Sequence, residues 1–226
     1  ASPREIIFTS GATESNNLAI LGVAGAHPGG GRRLVTTNVE HESVAGPVGE
    51  LEARGWRVTR VAVDRLGLVA VRDIAEACEE DTVLVSVIAA QNEVGTLQPL
   101  EAIGALCQER QVFLHCDAAQ WAGKIPLDVS AAGISLLSLS SHKLYGPKGV
   151  GALYLRRRDP RAVILPCQFG GGQERGLRPG TLNAPGIAAF GLACELARKE
   201  MGEEELRLKA LRERLLDGLR EKIAGV

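Results

Sequence analysis

Ser140, His142 and Lys143 close an apolar run, Leu136-Leu-Ser-Leu-Ser140, and the backbone-breaking pair Gly146-Pro147 follows soon after. A buried strand that ends in a hydroxyl, an imidazole and an amine brings the ingredients of a reactive centre to one edge of a sheet. Near apolar walls or other cations, a lysine amine gives up its proton more easily and attacks carbonyl carbon, so the chemistry on offer is imine formation. Taken alone, Lys143 reads more simply as a solvated charge after a strand. The reactive reading needs three further parts: a cup for an anion, a carboxylate for a ring nitrogen, and a planar group to stack.

The chain offers a candidate for each. Ile6-Ile-Phe-Thr9 reads as a strand, and Ser10-Gly11 turns into a helix beginning near Ala12. A helix start after a small flexible turn aims backbone N–H groups and the positive dipole end at an anion, so a phosphate fits over Ala12 and Thr13. Helix capping alone would also explain the small polar residues there. His41 stands after the strand Arg33–Thr37, where a planar ring could be stacked, although a lone histidine there is more often a helix cap. Asn92 follows the fully apolar strand Thr82–Ala89 and can bond a ligand hydroxyl. Asp117 ends the strand Val112–Cys116, with Gln120 one turn on. A carboxylate at a buried strand end is either paired structurally or holds a cation such as a protonated pyridine nitrogen. The aldehyde cofactor that matches this set is pyridoxal phosphate (PLP).

The elements that position these residues alternate. Strands at 6–9, 33–37, 57–63, 82–89, 112–116, 136–143 and 151–155 are separated by helical stretches at 12–26, 42–54, 71–79 and 100–109, which predicts an α/β fold with a mostly parallel sheet and helices on both faces. Strand C-terminal ends line the ligand crevice in such sheets. His27-Pro-Gly-Gly-Gly31 forms a loop after the first helix, with His27 on the surface. Gly170 to Thr181 is a long glycine-rich loop whose Arg175, Arg178 and Thr181 suit a second anion contact. A helix follows from Asn183 to about Lys199. Gly202 is expected to interrupt it, and Leu208, Leu211, Leu215 and Leu219 give a last helix one apolar face. The expected division is a PLP-binding large domain over 1–200 and the first helix of a small domain over 201–226. The abrupt start at Ala1-Ser-Pro and the uncovered leucine stripe before Val226 read as a piece of a longer protein.

Of the 226 residues, 45% are hydrophobic and the net charge is −1, which gives no basic excess for nucleic acid. No apolar run approaches the roughly 20 residues that span a bilayer, and no signal-peptide pattern opens the chain. Neither nucleic acid nor membrane is an expected partner, and a cytoplasmic location is. Cys78, Cys107, Cys116, Cys167 and Cys194 are scattered without a CxxC pair, arguing against a disulfide framework or a zinc site. Buried structural thiols are expected for all but Cys167.

Thr9-Ser-Gly-Ala-Thr-Glu-Ser-Asn-Asn17, Val39-Glu-His-Glu-Ser43, Asn92-Glu-Val-Gly95, Asp117-Ala-Ala-Gln120, Ser140 to Gly149, and Gly170 to Arg175 with Arg178-Pro-Gly-Thr181 resemble, in this order, the class V aminotransferase superfamily. More narrowly they resemble the NifS and IscS type of cysteine desulfurase, of PLP-dependent fold type I. The resemblance implies that Lys143 carries the cofactor, His41 stacks on its ring and shuttles protons, and Asp117 pairs with the ring nitrogen. It implies Gln120 and Asn92 at the phenolic oxygen, and Ala12, Thr13, Ser140 and His142 at the phosphate. Thr181 would reach the phosphate of the other subunit of a homodimer. The implied reaction converts L-cysteine to L-alanine, passing sulfur to an enzyme cysteine as a persulfide for iron–sulfur cluster or thio-cofactor assembly, with an acceptor or scaffold protein as partner. That thiol and the arginine for the substrate carboxylate would lie C-terminal to this sequence. A selenocysteine lyase, another class V lyase or aminotransferase, or a non-catalytic scaffold of the same fold are the alternatives.

Overall fold

The computed structural model describes residues 1–28, 32–158 and 161–224. The glycine run of the expected 27–31 loop and the terminal Val226 lie outside the described residues. His27 itself caps the first helix, with Nδ1 2.8 Å from the Val23 carbonyl oxygen.

The apolar runs pair as strands β1 (Ile6–Thr9), β2 (Arg33–Thr37), β3 (Arg57–Val61), β4 (Thr82–Ile88), β5 (Phe113–Asp117), β6 (Leu136–Ser140) and β7 (Gly151–Leu155). They form a seven-stranded sheet in the order β1-β7-β6-β5-β4-β2-β3. β7 alone runs against its neighbours β1 and β6, and the other neighbouring pairs are parallel. Helices α1 (Ala12–Ala26) and α2 (Glu42–Ala53) cover one face, α3 (Val71–Ala77) and α4 (Leu100–Glu109) the other. The period-2 alternation of the strands feeds both layers. Leu34, Leu84 and Leu136 pack with Leu18, Ile20 and Val48 on the first face, whereas Val35, Val85 and Leu137 pack with Ile74, Ile103 and Cys107 on the second.

Register then aligns the strand ends. Ile88 lies beside Asp117, Asp117 beside Ser138, and Ser140 beside Gly151. Gly151 has to be a glycine, because a Cβ there would stand 2.5 Å from both the Gly11 Cα and the Leu139 carbonyl oxygen. That close approach draws the start of α1 onto the ends of β6 and β7.

Two expectations fail here. The strand from Leu136 stops at Ser140, and a short 3-10 turn, Ser141–Leu144, carries His142 and Lys143 before Tyr145 adopts a left-handed conformation with φ 60°. Gly202 does not break the last helix: α5 runs unbroken from Ala184 to Arg220, 37 residues, capped at Asn183 by a 3.1 Å bond from the Gly186 N–H. One glycine costs a helix about 1 kcal/mol relative to alanine, too little to interrupt a long backbone ladder. Ion pairs on either side, Lys199 with Glu195 and Arg207 with Glu204, fit the same continuous helix.

Candidate active site

The aligned strand ends enclose a cavity of about 650 Å³. Ala12, Thr13, His41, Asn92, Asp117, Gln120, Ser140, His142 and Lys143, drawn from segments scattered along the chain, all line it. Thr181 does not; it is exposed and stands apart.

One wall is built as an anion cup. α1 begins directly after Gly11, whose position provides no side-chain cap, so the Ala12 and Thr13 N–H groups have no partner within the helix. Ser140 Oγ lies 3.0 Å from His142 Nδ1 on the same wall, and Lys148 adds a cation. Glu14 also faces this region, but it accepts from the Ser10 N–H at 2.6 Å and from Arg178 Nε at 2.7 Å. Burial works to raise its carboxyl, and the Arg178 and Ser10 donors outweigh it and hold Glu14 below its ordinary range.

Asp117, only 3% exposed, forms the opposite wall. It accepts from Asn16 Nδ2 at 2.8 Å and from the Ala119 N–H at 3.0 Å. Burial pushes its carboxyl up, and the Ala119 N–H, the Asn16 amide and the neighbouring His41 oppose that rise. Behind it lies Glu40, which accepts from Thr37 Oγ1 at 2.7 Å and the Ile88 N–H at 2.9 Å. Burial of its carboxyl group, reinforced by the negative charge of Asp117, pushes Glu40 up to about 8.

The side chain of His41 caps α2 by accepting from the Ser43 N–H, and its ring lines the cavity. Lys143 is exposed and sits at the border between the cavity and an apolar groove under α5. The nearby Lys124 ammonium is pushed down by burial and by Lys143, and it donates to Gln120 Oε1 at 2.6 Å.

The glycine-rich loop uses its donors within the chain. Arg178 pairs with Glu14, Arg175 Nη2 donates to the Ile6 carbonyl at 2.7 Å, and Glu174 accepts from the Phe8 N–H at 2.9 Å. β1 is an edge strand whose outer N–H and C=O groups need partners, and Arg175 and Glu174 of the loop supply two of them. Cys194 is also a correction. It is exposed on α5, not buried like Cys78, Cys107 and Cys116, because that stretch of helix is uncovered among the described residues. Cys167 is exposed as well, and among the described residues no cysteine lines the cavity. Asn16, Ser43, Glu40 and Lys148 were not singled out from sequence. Asn16 falls one helical turn after Ala12 and Ser43 two residues after His41, which is the only local signal either gives.

The class-V aminotransferase family matches residues 1–225. The chain belongs to that family. It is 50% identical over its whole length to a cysteine desulfurase from Mus musculus, covering 49% of that protein. It is 51% identical to a mitochondrial cysteine desulfurase from Arabidopsis thaliana, covering 50% of it, and 50% identical over 98% of the chain to the cysteine desulfurase IscS of Tolumonas auensis, covering 54%. The chain thus spans about half the length of the curated relatives it matches. Among solved structures, a NifS-like protein superimposes with a TM-score of 0.94 at 41% identity, over 98% of this chain and 60% of that one. SspA in complex with cysteine gives a TM-score of 0.83 at 44% identity, over 86% of this chain and 56% of that one. Class-V aminotransferases depend on PLP. The cavity fits that cofactor: it has uncapped helix N–H groups and cations for a phosphate, a buried carboxylate for a ring nitrogen, and an amine between them.

Proposed function

We propose that this chain is the cofactor-binding portion of a PLP-dependent cysteine desulfurase, in which L-cysteine gives L-alanine and its sulfur passes to an enzyme thiol for iron–sulfur cluster or thio-cofactor assembly. The observation that carries the proposal is that Lys143, Asp117, His41 and the Ala12–Thr13 helix start share one cavity. When bound, PLP supplies an aldehyde that condenses with amines and a pyridinium that withdraws electrons from the bonds of the condensed amino acid. Lys143 is the amine for that aldehyde and, once released, the general base for the substrate α-proton. Asp117 keeps the ring nitrogen protonated by opposite charge. His41 would hold the ring, and Asn92 and Gln120 would bond its phenolic oxygen. Ala12, Thr13, Ser140 and His142 hold the phosphate through N–H, hydroxyl and imidazole donors.

Substrate and partners follow the relatives' names and the cysteine complex of SspA. The sulfur-accepting thiol and the substrate-carboxylate arginine belong, in this reading, to the part of the relatives that the chain does not span. Thr181, exposed and outside its own cavity, is free to serve the phosphate of a partner in a homodimer. The division into a large domain over 1–200 and a small-domain helix from 201 is supported by α5, whose buried residues are Gly186, Phe190 and Ala193. Among the described residues no helix is long and apolar enough to cross a membrane. The unpaired cysteines suit a reducing compartment, and the cytoplasm remains our reading. The test is the longer protein incubated with cysteine, with sulfide and alanine measured in equal amounts. Turnover of selenocysteine alone would replace the reading with a selenocysteine lyase, and no turnover with PLP bound would favour a scaffold.

A further inference from the structure

Asp117 and His41, on separate elements, are joined through two buried side chains. Asn16, fully buried on α1, directs Nδ2 to Asp117 Oδ2 at 2.8 Å and to Ser43 Oγ at 2.8 Å. Ser43 Oγ lies 2.8 Å from His41 Nδ1, and the Ser43 backbone N–H donates to the same nitrogen at 3.1 Å.

The direction of each link is set by chemistry. A carboxylate only accepts, so Asn16 must turn its NH2 and not its carbonyl toward Asp117. An NH2 has two hydrogens, and the second falls on Ser43 Oγ. With its oxygen accepting there, the Ser43 hydroxyl has its own hydrogen left for His41 Nδ1. The Ser43 backbone N–H can only donate, so Nδ1 receives two donors and cannot itself carry a proton. A neutral imidazole has a single N–H, which is therefore on Nε2. His41 Nε2 has no hydrogen-bond partner among the described residues.

We propose that Asn16 and Ser43 are positioning residues that fix His41 as its Nε2–H tautomer, anchored to the Asp117 carboxylate through a one-way chain of hydrogen bonds. His41 then presents a hydrogen-bond donor to whatever lies against its Nε2, and it has no lone pair there with which to collect a proton. This differs from the proton-shuttle role that the family resemblance implies. The proposal rests on the PLP reading only for what His41 faces, because the tautomer follows from the protein's own groups.

The test is nitrogen-15 NMR of the His41 ring in the full-length protein, with and without PLP, together with PLP affinity by titration. In the neutral form of the ring, the proton on Nε2 and Nδ1 in the acceptor position are expected in both states. A proton on Nδ1 of the neutral ring overturns the proposal. Ser43→Ala keeps the backbone N–H but removes the hydroxyl, so the Nδ1 resonance should shift toward that of a less strongly bonded nitrogen. PLP affinity should fall about threefold to tenfold, the worth of one hydrogen bond, and Ser43→Thr should restore both. Wild-type resonance and affinity in Ser43→Ala would show that the hydroxyl link is not made. Failure of the wild-type protein to bind PLP would defeat the functional reading while leaving the tautomer result standing.

Discussion

At the C-terminal ends of β2, β4 and β5, polar side chains find partners on other segments: Asp117 in Asn16, and Glu40 in the Ile88 N–H. Along α5 beyond Ala193 the pattern inverts. Leu206, Leu208, Leu211 and Leu215 are between 46% and 70% exposed, and the ion pairs there, among the described residues, join residues of the same helix. The strand ends therefore owe their geometry to contacts between residues far apart in sequence, and the outer helix owes its geometry to local backbone bonding. Changes at the strand ends should alter chemistry and titration, whereas changes on the outer helix should alter association.

The largest effect is expected from Lys143→Ala. Borohydride reduction of the PLP-loaded full-length protein, followed by peptide mapping, should label Lys143 in the wild type and nothing in the variant. Because Lys143 is exposed, the melting temperature without cofactor should hardly move. Label on another lysine would remove Lys143 from its role.

Asp117→Asn comes second. It keeps the shape of the side chain but loses the charge that holds a ring nitrogen protonated, so α-deprotonation should slow by at least ~10²-fold, about 2.7 kcal/mol or more. Wild-type turnover would place Asp117 with the structural salt-bridge residues instead.

Glu40→Gln separates titration from packing. Glu40 holds its proton up to about 8 in the folded chain, against an ordinary value of 4.5. The folded state binds the extra proton between those values, so stability falls as pH rises through that window. Asp117, also raised, contributes in the same direction. Glutamine can still accept the Thr37 and Ile88 bonds and does not titrate. Denaturation at a series of pH values should show the variant gaining on the wild type toward pH 8, by an amount on the order of a few kcal/mol. Parallel curves would mean that Glu40 ionises near its ordinary value.

The smallest effect on folding is expected on the outer helix. Leu211→Glu with Leu215→Glu should change the unfolding free energy of the 226-residue chain by no more than about 0.5 kcal/mol per site while reducing its self-association in sedimentation. A loss of several kcal/mol would show that these leucines are buried in the species that folds, and the contrast between the two regions would fail.

Local pattern was enough for most of the framework. Apolar runs of strand length placed all seven strands, and the polar residues that end them marked the cavity, because in a parallel sheet those ends share one edge. Composition and spacing could also tell that Ala12 opens a helix and that Asp117 ends a strand. What sequence alone misjudged depended, except at Gly202, on neighbours remote in the chain. Gly202 read as a break because its local cost was visible, but the backbone bonding that outweighs it was not. Arg175 and Arg178 read as free donors because the open edge of β1 and the carboxylate of Glu14 lie more than a hundred residues away. Cys194 read as buried because periodicity identifies an apolar face and not what covers it. Tertiary structure alone joined Asn16, Ser43, His41 and Asp117, since hydrogen-bond direction is fixed only when donors and acceptors from α1, α2 and β5 meet at bonding distance.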